Sequence, residues 1–213
     1  MTHASAACLL AALAVACLPA LAGNLETHIT TPAGSPVEDA AVVLEPLSGT
    51  AISDHPPTAA IEQHNREFSP YLTIVQIGTA VNFPNRDPFK HHVYSFSPAK
   101  VFEIKLYAGR PAKPVVFDKP GEVDLGCNIH DWMEAYVLVV NTRYFAKSGG
   151  NGQAVVANVP AGRYRLLLWH PRQKAVFPSR EIKIGASPVK LELAMNIAPR
   201  LIKPRPPLDE NWY

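Results

Sequence analysis

The sequence predicts an all-β protein, and three observations carry that expectation. Pro is abundant, at 21 of 213 residues, with a further 12 Gly. No long stretch repeats its apolar residues at the helical period. Short apolar runs recur instead between turn signals: Leu72–Ile77, Val93–Phe96, Phe102–Leu106, Tyr136–Val140 and Tyr164–Leu168, set off by Gly78, Asp87-Pro88, Gly109, Pro120-Gly121, Ser148-Gly149-Gly150 and Pro160-Ala161-Gly162. Many short strands at short spacing are the pattern of a β-sandwich.

Taken in order, residues 1–22 read as a secretory signal peptide. Leu9–Ala16 is an apolar core and Ala20-Leu21-Ala22 a small-x-small cleavage site, although no Lys or Arg precedes the core. A membrane anchor is the rival reading, but the run is short, breaks at Pro19 and lacks charged flanks. Ala14-Val15-Ala16-Cys17 also offers a lipoprotein site, with Cys17 acylated. Cleavage after Ala22 removes Cys8 and Cys17 and leaves Cys127 as the one cysteine. A single thiol makes no internal disulfide, and in an oxidising compartment it has to be buried or ligated. An exported, periplasmic protein follows.

The remaining composition is that of an ordinary globular chain with a formal charge of +2. There is no basic run interleaved with aromatics, so nucleic acid is not an expected partner. No later apolar stretch is long enough to span a bilayer. The length left after cleavage suits one large or two small domains.

Three zones follow the signal. The line Gly34-Ser35-Pro36-Val37 through Ala40–Leu44, and the line Gly152 through Pro160-Ala161-Gly162-Arg163-Tyr164, resemble the opening and closing lines of a carboxypeptidase regulatory-like β-sandwich. That resemblance implies a sandwich whose first part is residues 23–54 and whose second part is residues 142–198, with residues 55–141 inserted. One sandwich with extra strands is the alternative. Residues 199–213, with Pro204, Pro206 and Pro207, are expected as an extended tail.

The middle zone holds the chemistry. Cys127, His130 and Met133 lie on one short segment, Gly126-Cys127-Asn128-Ile129-His130-Asp131-Trp132-Met133, and His91-His92-Val93 lies upstream. A thiolate with two imidazoles in a trigonal plane and a weak axial thioether is the ligand set of a blue-copper electron-transfer site. Zinc also takes Cys and His, but the thioether favours copper. Singly, a C-x-x-H or a buried Met is ordinary packing; the combination carries the expectation.

Leu72–Asp87, His91-His92-Val93, Cys127-x-x-His130-x-x-Met133 and Val137–Val140 together resemble the cupredoxins. The first His line is similar to the H-N-V of plastocyanin and amicyanin, and the Cys-His-Met spacing is that of amicyanin. The whole resembles bacterial proteins of the methylamine-utilisation, plastocyanin-like type. The resemblance implies a Greek-key β-sandwich or barrel over residues 55–141, with an additional sandwich from the flanking segments. It also implies one type 1 copper held by His91, Cys127 and His130 with Met133 axial. His92 stands where the family has Asn, and is the alternative to His91 as ligand. Alternation along a strand keeps both from binding one ion.

Function is expected to be single-electron transfer with a redox partner such as a c-type cytochrome or a dehydrogenase. A copper-delivery module and a non-redox interaction protein are the alternatives. An enzyme is not expected, since no open metal position or nucleophile–base pair is evident. A nitrite-reductase type of enzyme needs a second, His-rich copper site, and His28, His55, His64 and His170 are scattered along the chain. Asp131 is read either as a carboxylate orienting His130 or as an exposed loop acid, and Trp132 as packing, as cover for the site or as an apolar docking face for a partner.

Overall fold

The computed structural model describes residues 22–111, 113–201 and 204. The expected signal peptide, with Cys8 and Cys17, lies outside them but for Ala22, as does most of the expected tail. Among the described residues there are strands and turns and no helix, so the chain is all-β.

In chain order the strands are β1 (Ala22–Thr30), β2 (Ala41–Pro46), β3 (Ala59–Ala60), β4 (Glu62–His64), β5 (Glu67–Ser69), β6 (Leu72–Gln76), β7 (Thr79–Asn82), β8 (His91–Ser97) and β9 (Lys100–Tyr107). They continue as β10 (Val115–Phe117), β11 (Gly121–Gly126), β12 (Glu134–Val140), β13 (Phe145–Lys147), β14 (Gln153–Pro160), β15 (Gly162–Trp169), β16 (Arg180–Ile184) and β17 (Val189–Ala194).

Strands from the two ends of the chain form one sandwich. Its sheets are ordered β14-β1-β17 and β13-β2-β15-β16. In β1 every second residue from Gly23 to Ile29 is buried, the period-2 signature of a strand with one face on a core. Leu25, Ile29, Leu44, Leu166 and Ile184 meet there with no exposed surface. Burying a side chain of this size contributes about 1.5–3 kcal/mol. The closure is long-range: β1 runs parallel to β17, with Leu25 beside Val189 and Thr30 beside Ala194.

The strands between β2 and β13 form a second, central sandwich. A five-stranded sheet, β6-β12-β11-β8-β9, faces a small sheet, β10-β7-β3. Phe83, Val93, Phe117, Val123 and Val137 fill the space between. Cys127 and Met133 belong to the same core. The hairpin β4-β5 stands apart as its own two-stranded ribbon. The sandwiches touch through a third apolar cluster, where Leu72, Leu138 and Val140 of the central sheet meet Ala41 and Val43 of β2.

This topology brings the chemistry to one end of the central sandwich. β11 ends at Gly126, β12 begins at Glu134, and the two residues pair across the hairpin. The loop from Cys127 to Met133 closes that hairpin. β8 runs antiparallel to β11, with Tyr94 opposite Gly126. Its first residue, His91, is therefore delivered beside the loop.

Candidate metal centre

His91, Cys127 and His130 converge, each contributing one buried ligand atom, and these atoms lie within 4.8 Å of one another. The Cys127 Sγ is 4.0 Å from His91 Nδ1 and 3.8 Å from His130 Nδ1, and the two Nδ1 atoms are 3.2 Å apart. One ion bound trigonally at about 2.0 Å from nitrogen and about 2.3 Å from sulfur sets donors roughly 3.5 Å (N to N) and 3.7 Å (N to S) apart. The observed triangle has that shape and size. One soft thiolate and two imidazoles suit copper or zinc, so the donor set fits the group the sequence implied.

Met133 is buried, 3% exposed, at the far end of the same loop, and its amide donates to the His130 carbonyl at 2.9 Å. That bond makes a tight turn of His130–Met133. His92 goes elsewhere. Strand alternation turns it to the opposite face, where its Nε2 lies 2.9 Å from Glu103 Oε1 and its Nδ1 is buried with no hydrogen-bond partner. The structure thus brings His91 to the thiolate and leaves His92 outside the triangle. The β8–β9 register is irregular here: two steps from His91 to Val93 meet three from Tyr107 to Ile104. Such a bulge re-aims a side chain at a sheet end.

Asp87 supports the cluster, and sequence reasoning missed it. Its carboxylate lies 2.7 Å from His91 Nε2. With a proton on Nε2 facing that carboxylate, the neutral ring presents the Nδ1 lone pair to the triangle, the usual device for fixing a ligand's tautomer. Asp87 is itself held by the amides of Asn65 at 2.7 Å and Arg66 at 3.0 Å. Burial pushes its carboxyl pKa up, but the bonds from His91 and from these two amides outweigh that and hold it below the usual range. Asn65 and Arg66 form the turn of the β4-β5 hairpin, both with positive φ, 54° and 58°. The left-handed conformation at both positions is that of a tight hairpin turn, and it aims both amides at one carboxylate. The exposed His64 adds a contact of 3.7 Å to Asp87.

The same turn grips the ligand loop. Trp132 Nε1 donates to the Arg66 carbonyl at 3.1 Å, and the Arg66 guanidinium lies over the indole at 5.6 Å. The Trp132 ring sits 5.1 Å from that of His130. Phe89 flanks both imidazoles, 5.2 Å from His91 and 6.0 Å from His130. Asn85 holds the Phe89 segment by donating to the Phe89 carbonyl at 2.8 Å and accepting the Asp87 amide at 2.9 Å. Asp131 is an exposed loop residue.

Burial lowers both imidazole pKa values. For His91 the opposing pull of Asp87 leaves a net lowering. For His130, burial, together with repulsion from Arg66 and from His91 once that ring is protonated, brings the value down to about 4. At neutral pH both rings are therefore neutral, the form that ligates a metal.

No family model matches the chain, and no curated protein does. Solved structures are similar to it in part. A Cu-containing nitrite reductase (NirK) from Thermus scotoductus SA-01 matches 45% of this chain at 22% identity and a TM-score of 0.38. The chain spans only a quarter, 25%, of that reductase. A purple cupredoxin from Nitrosopumilus maritimus matches 38% of this chain and 99% of its own, at 23% identity and a TM-score of 0.34. A reduced Cu(I) amicyanin variant matches 46% of this chain and 98% of its own, at 18% identity and a TM-score of 0.36. Each likeness covers less than half of this chain and transfers no residue role. One expectation is corrected. An enzyme is not expected from the sequence, yet a copper reductase is among the proteins this chain is similar to. The physical reason is that a His–Cys–His group is compatible with a chain that only carries electrons and with one that also uses them. Its ligand spacing therefore does not exclude catalysis.

Proposed function

We propose that this chain is an exported copper protein of the cupredoxin kind, plastocyanin- and amicyanin-like, that passes single electrons to and from a redox partner protein. His91, Cys127 and His130 would hold one type 1 copper, with the Met133 thioether as a further, weak ligand. The triangle of Sγ and two Nδ1 atoms supports this reading most directly. Residues 55–141 are the redox unit, carried between the two parts of a regulatory-like sandwich, 23–54 and 142–198. Residues 1–22 direct export to the periplasm, where a c-type cytochrome or a dehydrogenase is the fitting partner.

Bound there, copper supplies a one-electron Cu(I)/Cu(II) couple. The chain's part is to keep the ligand positions the same in both states. Cys127 and Met133 are each anchored one residue from a paired strand end. His91 is fixed by Asp87, and His130 is walled by Phe89 and Trp132. All three ligand residues are buried. Ligands held this firmly do not rearrange when the charge changes, so little reorganisation opposes transfer.

The test is the visible and electron-spin-resonance spectrum of the Cu(II)-loaded chain beside Cys127→Ala. An intense thiolate-to-copper band with narrow hyperfine splitting, lost in the variant, is expected. No such band, or one indifferent to Cys127, overturns the proposal.

A further inference from the structure

The outer face of the five-stranded sheet is divided. At the β6-β12 edge it is covered by the flanking sandwich, through Leu72, Leu138 and Val140. Among the described residues it is bare over β11, β8 and β9, and that half carries the most exposed apolar side chains of the sheet. Phe96 is 79% exposed and Val101 66% exposed. The two sit opposite one another across the β8-β9 hairpin. Tyr94 extends the patch, its ring 5.1 Å from that of Phe96. Two shallow hollows of about 390 and 460 Å³ flank Tyr94. Scattered apolar residues on a surface need no explanation, but an adjoining set with a defined rim does.

The rim is acidic. Glu103 and Asn128 border one hollow, and Asp124, Asp131 and Glu134 border the other. Among the described residues, no lysine or arginine lines either. Lys100 pairs with Asp118 at 2.9 Å, Arg200 lies 3.9 Å from Glu134, and Lys105 lines neither hollow. A local acidic rim on a chain of net charge +2 is not a consequence of composition. The patch also reaches the metal centre. Tyr94 lies on Gly126, where an added Cβ would come within 2.7 Å of the ring, and Gly126 precedes Cys127. The second hollow is lined by Cys127 and Met133 themselves.

We propose that the bare half of this sheet face, centred on Phe96, Val101 and Tyr94, docks a redox protein whose contact surface is apolar at its centre and ringed by lysine or arginine. The reading rests on the electron-transfer function proposed above. Apolar centres and complementary charged rims are how such surfaces combine affinity with rapid encounter.

The experiment measures binding of the full chain, metal-free and copper-loaded, to a lysine-rich class I cytochrome c by calorimetry at low and high salt. An acidic cytochrome of similar size is the control. Expected are binding that weakens with salt, about tenfold weaker binding for Phe96→Ser, and a flatter salt dependence for the Glu103→Gln, Asp124→Asn double variant. Val155→Ser, an exposed apolar site on β14, is expected to bind as the parent does. Phe96 is exposed enough that its loss leaves the core intact. No binding to the lysine-rich cytochrome, tighter binding to the acidic one, or equal loss in Phe96→Ser and Val155→Ser overturns the proposal. Binding with the expected variant pattern but no thiolate-to-copper band upholds the surface and defeats the electron-transfer reading. A band without binding does the reverse.

Discussion

Each sandwich buries histidine, and it does so in different ways. In the flanking sandwich His170 is fully buried, and both ring nitrogens are used by backbone: Nδ1 accepts the Arg172 amide at 2.9 Å, and Nε2 lies 3.2 Å from the Glu38 carbonyl. In the central sandwich His91 and His130 are just as buried, yet the Nδ1 atoms of both face each other and the Cys127 sulfur. Burial alone therefore says nothing about function. A histidine whose polar atoms are spent on backbone is part of the scaffold. One with a lone pair aimed at other donors is waiting for a cation.

The first way to sharpen that contrast is pH. Burial, aided by the Arg172 charge, lowers the His170 pKa from 6.5 to about 4 in the folded chain. Between those values the unfolded chain binds a proton that the folded chain refuses. The stability due to His170 is therefore complete above pH 6.5 and falls as the pH drops towards 4. A shift of this size corresponds to about 3 kcal/mol. Denaturant unfolding of the copper-loaded chain from pH 7 to 4 checks it. His170→Ala is expected to cost stability at pH 7 and to remove one proton from the slope, while leaving the copper spectrum in place. A spectrum lost along with His170 would break the distinction between the two sandwiches.

How far the sequence foretold this division depends on the distance over which each feature is determined. The approach of Cys127 and His130 was legible because a single hairpin loop holds both, and local spacing there becomes geometry directly. The preference for His91 came from its alignment with the H-N-V line, with strand alternation keeping His92 from sharing the ion, and both signals are local. The all-β class followed from turn residues and apolar runs. What was not legible is what depends on distant pairing. Period-2 alternation identifies β1 as a strand but does not say that its parallel neighbour is β17. Nor does Asp87 look different, in the string Pro84–Pro88, from any exposed turn acid. Its role depends on a hairpin turn more than 20 residues earlier, at Asn65–Arg66. The one local hint was its place four residues before His91.

That hidden support gives the second test. Removing the partner that orients a ligand histidine lowers metal affinity by about 10–100-fold. Asp87→Asn keeps the size of the side chain but gives up the carboxylate that holds the His91 proton, and leaves the Asn65 and Arg66 amides a weaker acceptor. Copper titration against a chelator of known affinity is expected to show a loss within that range, with the thiolate band retained but shifted. Affinity equal to the parent's would mean that His91 is positioned by packing against Phe89 alone.

The smallest effect is expected at His92, and it bears most directly on the ligand assignment. His91 and His92 are neighbours, both buried, and differ in what they face. His92 Nε2 is tied to Glu103, on the far side of the sheet from Cys127. His92→Asn removes that tie and a buried nitrogen without a partner, whose satisfaction would otherwise be worth about 1–3 kcal/mol. Stability is therefore expected to change little, and copper affinity by less than about twofold, well under the 1.4 kcal/mol that a tenfold change represents. His91→Asn is expected to abolish the thiolate-to-copper band. If the two variants exchange these outcomes, β8 has slipped by one residue in solution, since a one-residue shift of register carries every side chain to the opposite face. The bulge between His91 and Val93 is the place where such a slip would begin.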